Sequence, residues 1–186
     1  MKRLITLLFV ALTICLASTA FAQGTTPAPA ATTASSGGNA FGEGAMSLSL
    51  GVPGGGNPYA NGTFGLWYGM SNDLNLGINV GLGIDTAPED TIFNLLLAPA
   101  LKYYMMPGAE VTPFILGQLN IGYSSVPEDD NITISLLGGF GAEWFITPVF
   151  SLAGYTGLGI DLLRGPGVDP LRIGTLTSGF SAQIYW

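Results

Sequence analysis

The sequence predicts an all-β fold, an eight-stranded antiparallel up-and-down transmembrane β-barrel. Three observations carry this. Only 9% of the 186 residues are charged, against roughly a quarter in soluble domains. Past the N-terminus no apolar run approaches the roughly 20 residues that a spanning helix needs, because glycines and prolines interrupt the apolar residues throughout. Apolar residues recur instead at every second position, the period of a strand with two unlike faces.

Residues 1–22 have the form of a secretory signal. Lys2 and Arg3 open it, Leu4 to Leu16 is its apolar stretch, and Ala20-Phe21-Ala22 is a cleavage site. Cleavage there removes Cys15, the only cysteine, so no disulfide scaffold is expected. Ile14 is too large for the residue before a lipid-modified cysteine. The remaining chain keeps Lys102, Arg164 and Arg172 against twelve acidic residues. That balance argues against nucleic acid, whose phosphates demand a basic footprint. Residues 23–40 are Thr, Pro, Ala, Ser and Gly with almost no other residue type and no charge, and are expected to form a disordered linker. The barrel is expected over 41–186.

Eight alternating segments follow. In 45–52, Met46, Leu48, Leu50 and Val52 share one face and Ala45, Ser47, Ser49 and Gly51 the other. In 62–70 the apolar face is Phe64, Leu66, Tyr68 and Met70. In 74–85, Leu74, Leu76, Ile78, Val80, Leu82 and Ile84 alternate with Asn75, Gly77, Asn79, Gly81 and Gly83. The next four segments are 92–105, 111–123, 132–146 and 149–160. The last runs from about 174 to the end, with Leu176, Phe180, Ala182, Ile184 and Trp186 expected outward. Leu96, Phe114 and Leu116 break the pattern by falling on inner faces.

An even strand number closes a barrel without a free edge, which in lipid leaves no backbone group unpaired. The connections alternate in kind. Ser71-Asn72-Asp73, Met106–Glu110 and Thr147-Pro148 are tight, whereas Pro53–Asn61, Asp85–Thr91, Ser124–Asn131 and Asp161–Arg172 are longer or more charged. With the N-terminus in the periplasm, the short turns fall there and the longer loops outside.

The candidate chemistry is sparse. The chain has no histidine, so the usual proton carrier near neutral pH is missing and an enzyme is not expected. Neither a catalytic site, a cofactor nor a metal site is predicted. Glu89-Asp90 and Glu128-Asp129-Asp130 read as solvated loop tips rather than cation sites. Inside, Lys102 and Glu143 fall on inward faces near the periplasmic end, with Glu43 a third candidate at that level. A charge in a narrow barrel must be paired or hydrated, so an interior ion pair is expected. Tyr104, Gln118, Asn120, Tyr155, Gln183 and Tyr185 could complete a polar plug.

Phe180, Ala182, Ile184 and Trp186 alternate up to a terminal aromatic residue. With the signal and the strand count, the chain resembles the small outer-membrane barrel family that includes OmpA and OmpX. The resemblance covers about 41–186 and is one of pattern. It implies location in the outer membrane of a Gram-negative-type bacterium. It implies an assembly signal in Phe180, Ile184 and Trp186, read by the barrel assembly machinery with periplasmic chaperones. It also implies outer-membrane lipids as surroundings and a monomer. Trp replaces the more usual final Phe, and the peptidoglycan-binding domain of larger relatives is not expected.

Three functional readings stand. The first is a non-enzymatic barrel contributing to envelope integrity or surface interaction. The second is a narrow pore for small solutes or ions. The third is a secreted, soluble, lipocalin-like barrel with an apolar ligand, which requires the apolar faces to point inward.

Overall fold

The structure is a computed structural model that describes residues 41–53, 62–86, 91–125, 130–164 and 171–186. The predicted signal, the linker and the tips of the longer loops lie outside the described residues. So do Glu89-Asp90 and Glu128-Asp129. Eight strands follow in order: β1 (Met46–Pro53), β2 (Thr63–Gly69), β3 (Leu74–Thr86), β4 (Thr91–Tyr104), β5 (Val111–Ser125), β6 (Asp130–Thr147), β7 (Phe150–Arg164) and β8 (Leu171–Tyr185).

Each strand pairs antiparallel with the next, and β8 returns to β1, closing the barrel. The seam runs from Ser47 opposite Tyr185 to Pro53 opposite Gly179. Met46 and Trp186 exchange both backbone hydrogen bonds, at 3.1 and 3.0 Å, just beyond it.

The alternation settles into two surfaces. Leu48, Leu50, Phe64, Leu66, Leu82, Phe140, Leu158 and Ile184 are exposed on the outer wall. Ser47, Ser49, Asn75, Thr112 and Gln183 are buried inside. Leu96, Phe114 and Leu116 are also buried, on the inner faces where their parity puts them. An eight-stranded barrel is just wide enough for side chains to fill its interior.

The ladders of β6, β7 and β8 extend beyond the sequence boundaries. Ile132 pairs with Arg164 and Leu162 with Leu171, which shortens the expected 161–172 connection. Hydrogen bonding along the strand continues where the apolar alternation has already ended, so alternation marks the apolar band rather than the strand. The register of β8 also departs from a continuous ladder. Gly157 pairs with Thr177 but Leu158 pairs with Thr175, so the register skips Leu176. This bulge shifts the register of β8, so that Thr175 rather than Leu176 pairs with Leu158, and Ile173 rather than Gly174 with Ile160. An extra residue reverses the alternation beyond it.

At the short-turn end, Met70 donates its N–H to the Leu74 carbonyl at 2.8 Å while Ser71 Oγ bonds Asp73 at 2.6 Å. The β4–β5 turn uses Gly108 at φ 90°, in the left-handed region that favours glycine.

Candidate functional site

Near the short turns, inward-facing residues of β4, β7 and β8 converge on Glu143 of β6. Its side chain is fully buried. Oε2 lies 3.2 Å from Lys102 Nζ and accepts the Tyr104 hydroxyl at 2.6 Å. Oε1 accepts Ser151 Oγ at 2.5 Å and also the Tyr185 hydroxyl. An ionised carboxylate offers about four acceptor sites, and all are matched by donors here.

Lys102 and Glu143 approach each other across β5, where Lys102 pairs with Leu116 and Glu143 with Thr112. The Lys102 ammonium also lies 4.6 Å from the centre of the Trp67 ring and 5.0 Å from that of Phe114. Two ring faces thus stand where water would otherwise solvate it. Trp67 is held in turn by its own N–H, which donates to Ser49 Oγ at 3.1 Å. The pair is neutral overall and buried, and its carboxylate is hydrogen-bonded to neighbouring hydroxyls. These are the conditions under which a buried ion pair is tolerated.

Inward glycines make room for the large rings. Trp67 pairs with Gly77, Phe114 with Gly141, and Tyr155 with Gly179. In each case a Cβ on the glycine would collide with the ring opposite. Above this layer, Gln118 Nε2 donates to Asn120 Oδ1 at 2.5 Å and Asn120 Nδ2 to Ser135 Oγ at 3.1 Å. A cavity of about 80 Å³ lies between the layers, touching Trp67, Lys102, Leu116, Asn120 and Tyr155.

The structure brings Lys102 and Glu143 together and leaves Glu43 out. Glu43 is exposed, and its backbone N–H reaches Asn72 Oδ1 at 3.4 Å. Counting alternate residues back from Ser47 puts Glu43 inward. The count fails because Gly44, at φ 81°, turns the chain before β1 begins. Of the proposed plug residues, Tyr104 and Tyr185 bind Glu143, and Gln183 accepts a bond from Ser47 at 3.5 Å. Gln118 and Asn120 form the separate upper layer.

The sequence reading passed over Ser151, Trp67 and Phe41. The first two have inward parity on β7 and β2, and that signal was available. Phe41 precedes the first strand, where no periodicity applies. Phe180, Ile184 and Trp186 are exposed on the outer surface at the end of the chain.

Together these features define a small eight-stranded barrel with an apolar outer wall and a filled, charged lumen. The same fold occurs in the N-terminal β-barrel domain of Pseudomonas aeruginosa OprF. That structure is 13% identical, with a TM-score of 0.52 over 78% of this chain and 99% of the other. Neisserial surface protein A (NspA) is also similar, at 15% identity and a TM-score of 0.44 over 76% of this chain and 94% of that one. No family model matches the chain, and no curated protein matches it in sequence.

Proposed function

We propose that this chain is a non-enzymatic outer-membrane protein whose barrel crosses the bilayer with a closed lumen, and which contributes to envelope integrity or surface interaction. The observation that carries this reading is the inversion of the wall. Large apolar side chains face outward, while Lys102, Glu143 and the hydroxyls of Ser47, Ser49, Thr112 and Ser151 face inward. In water such an exterior is a liability; in lipid it is required. A soluble barrel with an apolar ligand needs the opposite arrangement.

The polarity along the axis supports the same reading. Tyr68, Tyr103, Trp144 and Trp186 are exposed near the short-turn end, on or just after β2, β4, β6 and β8. Trp144 donates its ring N–H to Glu110 Oε1 at 3.1 Å, keeping its polar edge toward the turn. Aromatic residues of this kind gather where hydrocarbon meets headgroups. We take that end as periplasmic, the surroundings as outer-membrane lipids, and the barrel as a monomer delivered by periplasmic chaperones and inserted by the barrel assembly machinery. No partner of nucleic acid and no cofactor is invoked.

Fractionation combined with gel migration before and after boiling tests the membrane reading. An outer-membrane, heat-modifiable band is expected, and a soluble periplasmic one sinks it. The alternative of a narrow pore draws on the cavity and the polar side chains above the plug. Planar-bilayer recordings separate the two, since steady conductance favours the pore and its absence the closed barrel.

A further inference from the structure

The residues just before β1 fold across the short-turn mouth of the barrel. The Phe41 ring lies 4.3 Å from that of Tyr104 and 6.3 Å from that of Phe145, centre to centre. Phe145 in turn lies 5.5 Å from Tyr185, and Tyr104 lies 5.8 Å from Phe114. Phe41 therefore sits directly against the ring of one Glu143 donor, Tyr104, and reaches that of a second, Tyr185, only through Phe145.

The chain that carries Phe41 is fastened at several points. Gly44 donates to the Gly69 carbonyl at 2.8 Å, Gly69 donates to the Ala45 carbonyl at 2.8 Å, and Ala45 donates to the Gly42 carbonyl at 3.1 Å. Gly44 supplies the left-handed turn, at φ 81°. Gly69 allows the close approach, since a Cβ there would collide with the Gly42 carbonyl. Glu43 stays exposed, so the charge of this segment is kept off the aromatic layer.

We propose that Phe41–Ala45 is a strap that stoppers the short-turn mouth and keeps water and ions from the Glu143 network. The Lys102–Glu143 pair blocks the lumen at its own level, but Tyr104 and Tyr185, whose hydroxyls bond Glu143, are the last residues of β4 and β8, at the short-turn mouth. Water reaching them would compete for the carboxylate. Phe41 packs with Phe145 over this approach, and withdrawing it opens the lower lumen without breaking a strand pairing. The proposal rests on the closed-lumen reading but can fail separately from it.

The test uses the absence of cysteine after residue 22. Ser47→Cys places a thiol at a buried inward position beside Gln183, outside the bonds to Glu143. Its reaction with a small cationic methanethiosulfonate is followed on refolded barrel, with heat-modifiability confirming the fold of each variant. A buried thiol reacts when its surroundings open, so Phe41→Ala should speed labelling by at least about tenfold. Phe41→Leu, which keeps an apolar stopper, should return it close to the slow rate. Gly44→Ala strains only the turn, since a Cβ there meets nothing within 4 Å. It should give an intermediate rate in a barrel that still folds.

Equal labelling in Ser47→Cys with and without Phe41→Ala or Gly44→Ala overturns the strap while leaving the closed lumen intact. Fast labelling with the strap unaltered also overturns it. Conductance of the unmodified barrel then decides whether the closed lumen falls with it.

Discussion

Lys102 on β4 and Glu143 on β6 meet 3.2 Å apart across the strand between them. Neither stands on a neighbouring strand of the other, so the contact exists only because the wall curves. The two partners are not equivalent. Glu143 retains three hydroxyl donors if Lys102 is removed. Lys102 retains two ring faces and no carboxylate if Glu143 is removed.

Removing one partner of a buried pair costs roughly 3 kcal/mol. Glu143→Gln should reach that figure and Lys102→Met should fall below it. The double variant should lose less than the two single losses together. Urea unfolding of barrel refolded in detergent or lipid gives all three values, and simple additivity would rule out the coupling.

The ring–glycine pairs predict a contrast between equal substitutions. Gly77→Ala and Gly179→Ala press a methyl into Trp67 and Tyr155, and overpacking of this kind costs about 1–3 kcal/mol. Gly117 and Gly138 face outward, and a Cβ at either meets nothing within 4 Å among the described residues. Alanine there should stay within about 0.5 kcal/mol of the parent. The same unfolding assay checks this, and equal losses at inner and outer glycines would count against the packing account.

Phe180→Asp and deletion of Trp186 probe the last strand. Phe180 is 51% and Trp186 61% exposed on the outer wall. An Asp facing lipid costs on the order of 2 kcal/mol at mid-depth and less near the interface. Both variants should insert poorly and leave precursor for periplasmic proteolysis. Normal heat-modifiability in both would argue strongly against a lipid-facing C-terminal strand.

Orientation has its own test. Tags inserted after Asp129 should be accessible on intact cells, and tags after Pro148 should not. Pro148 lies in the tight β6–β7 turn, at the end that holds the Glu143 network. Labelling in the reverse sense would turn the proposed orientation upside down.

Strand number and the two-faced character of each strand were determined by the sequence alone. Alternation is a local property, written every two residues and readable without knowing what lies opposite. The 74–85 segment shows this best, since its apolar residues separate completely from its small and polar ones. Inward parity also singled out Lys102, Glu143, Tyr104 and Tyr185. Which of the two faces points outward was decided by closure, because only the closed wall has an inside. Register was decided there too: the skipped Leu176 in β8 depends on hydrogen bonds to β7, which no pattern within β8 records. The lumen network is non-local for the same reason. Its donors come from β4, β7 and β8, and their meeting at one carboxylate follows from curvature and stagger. Phe41 and Glu43 show where the local code ends. Ahead of Gly44 the chain leaves the strand period, and tertiary contacts alone put the phenylalanine against the lumen and the glutamate in the open.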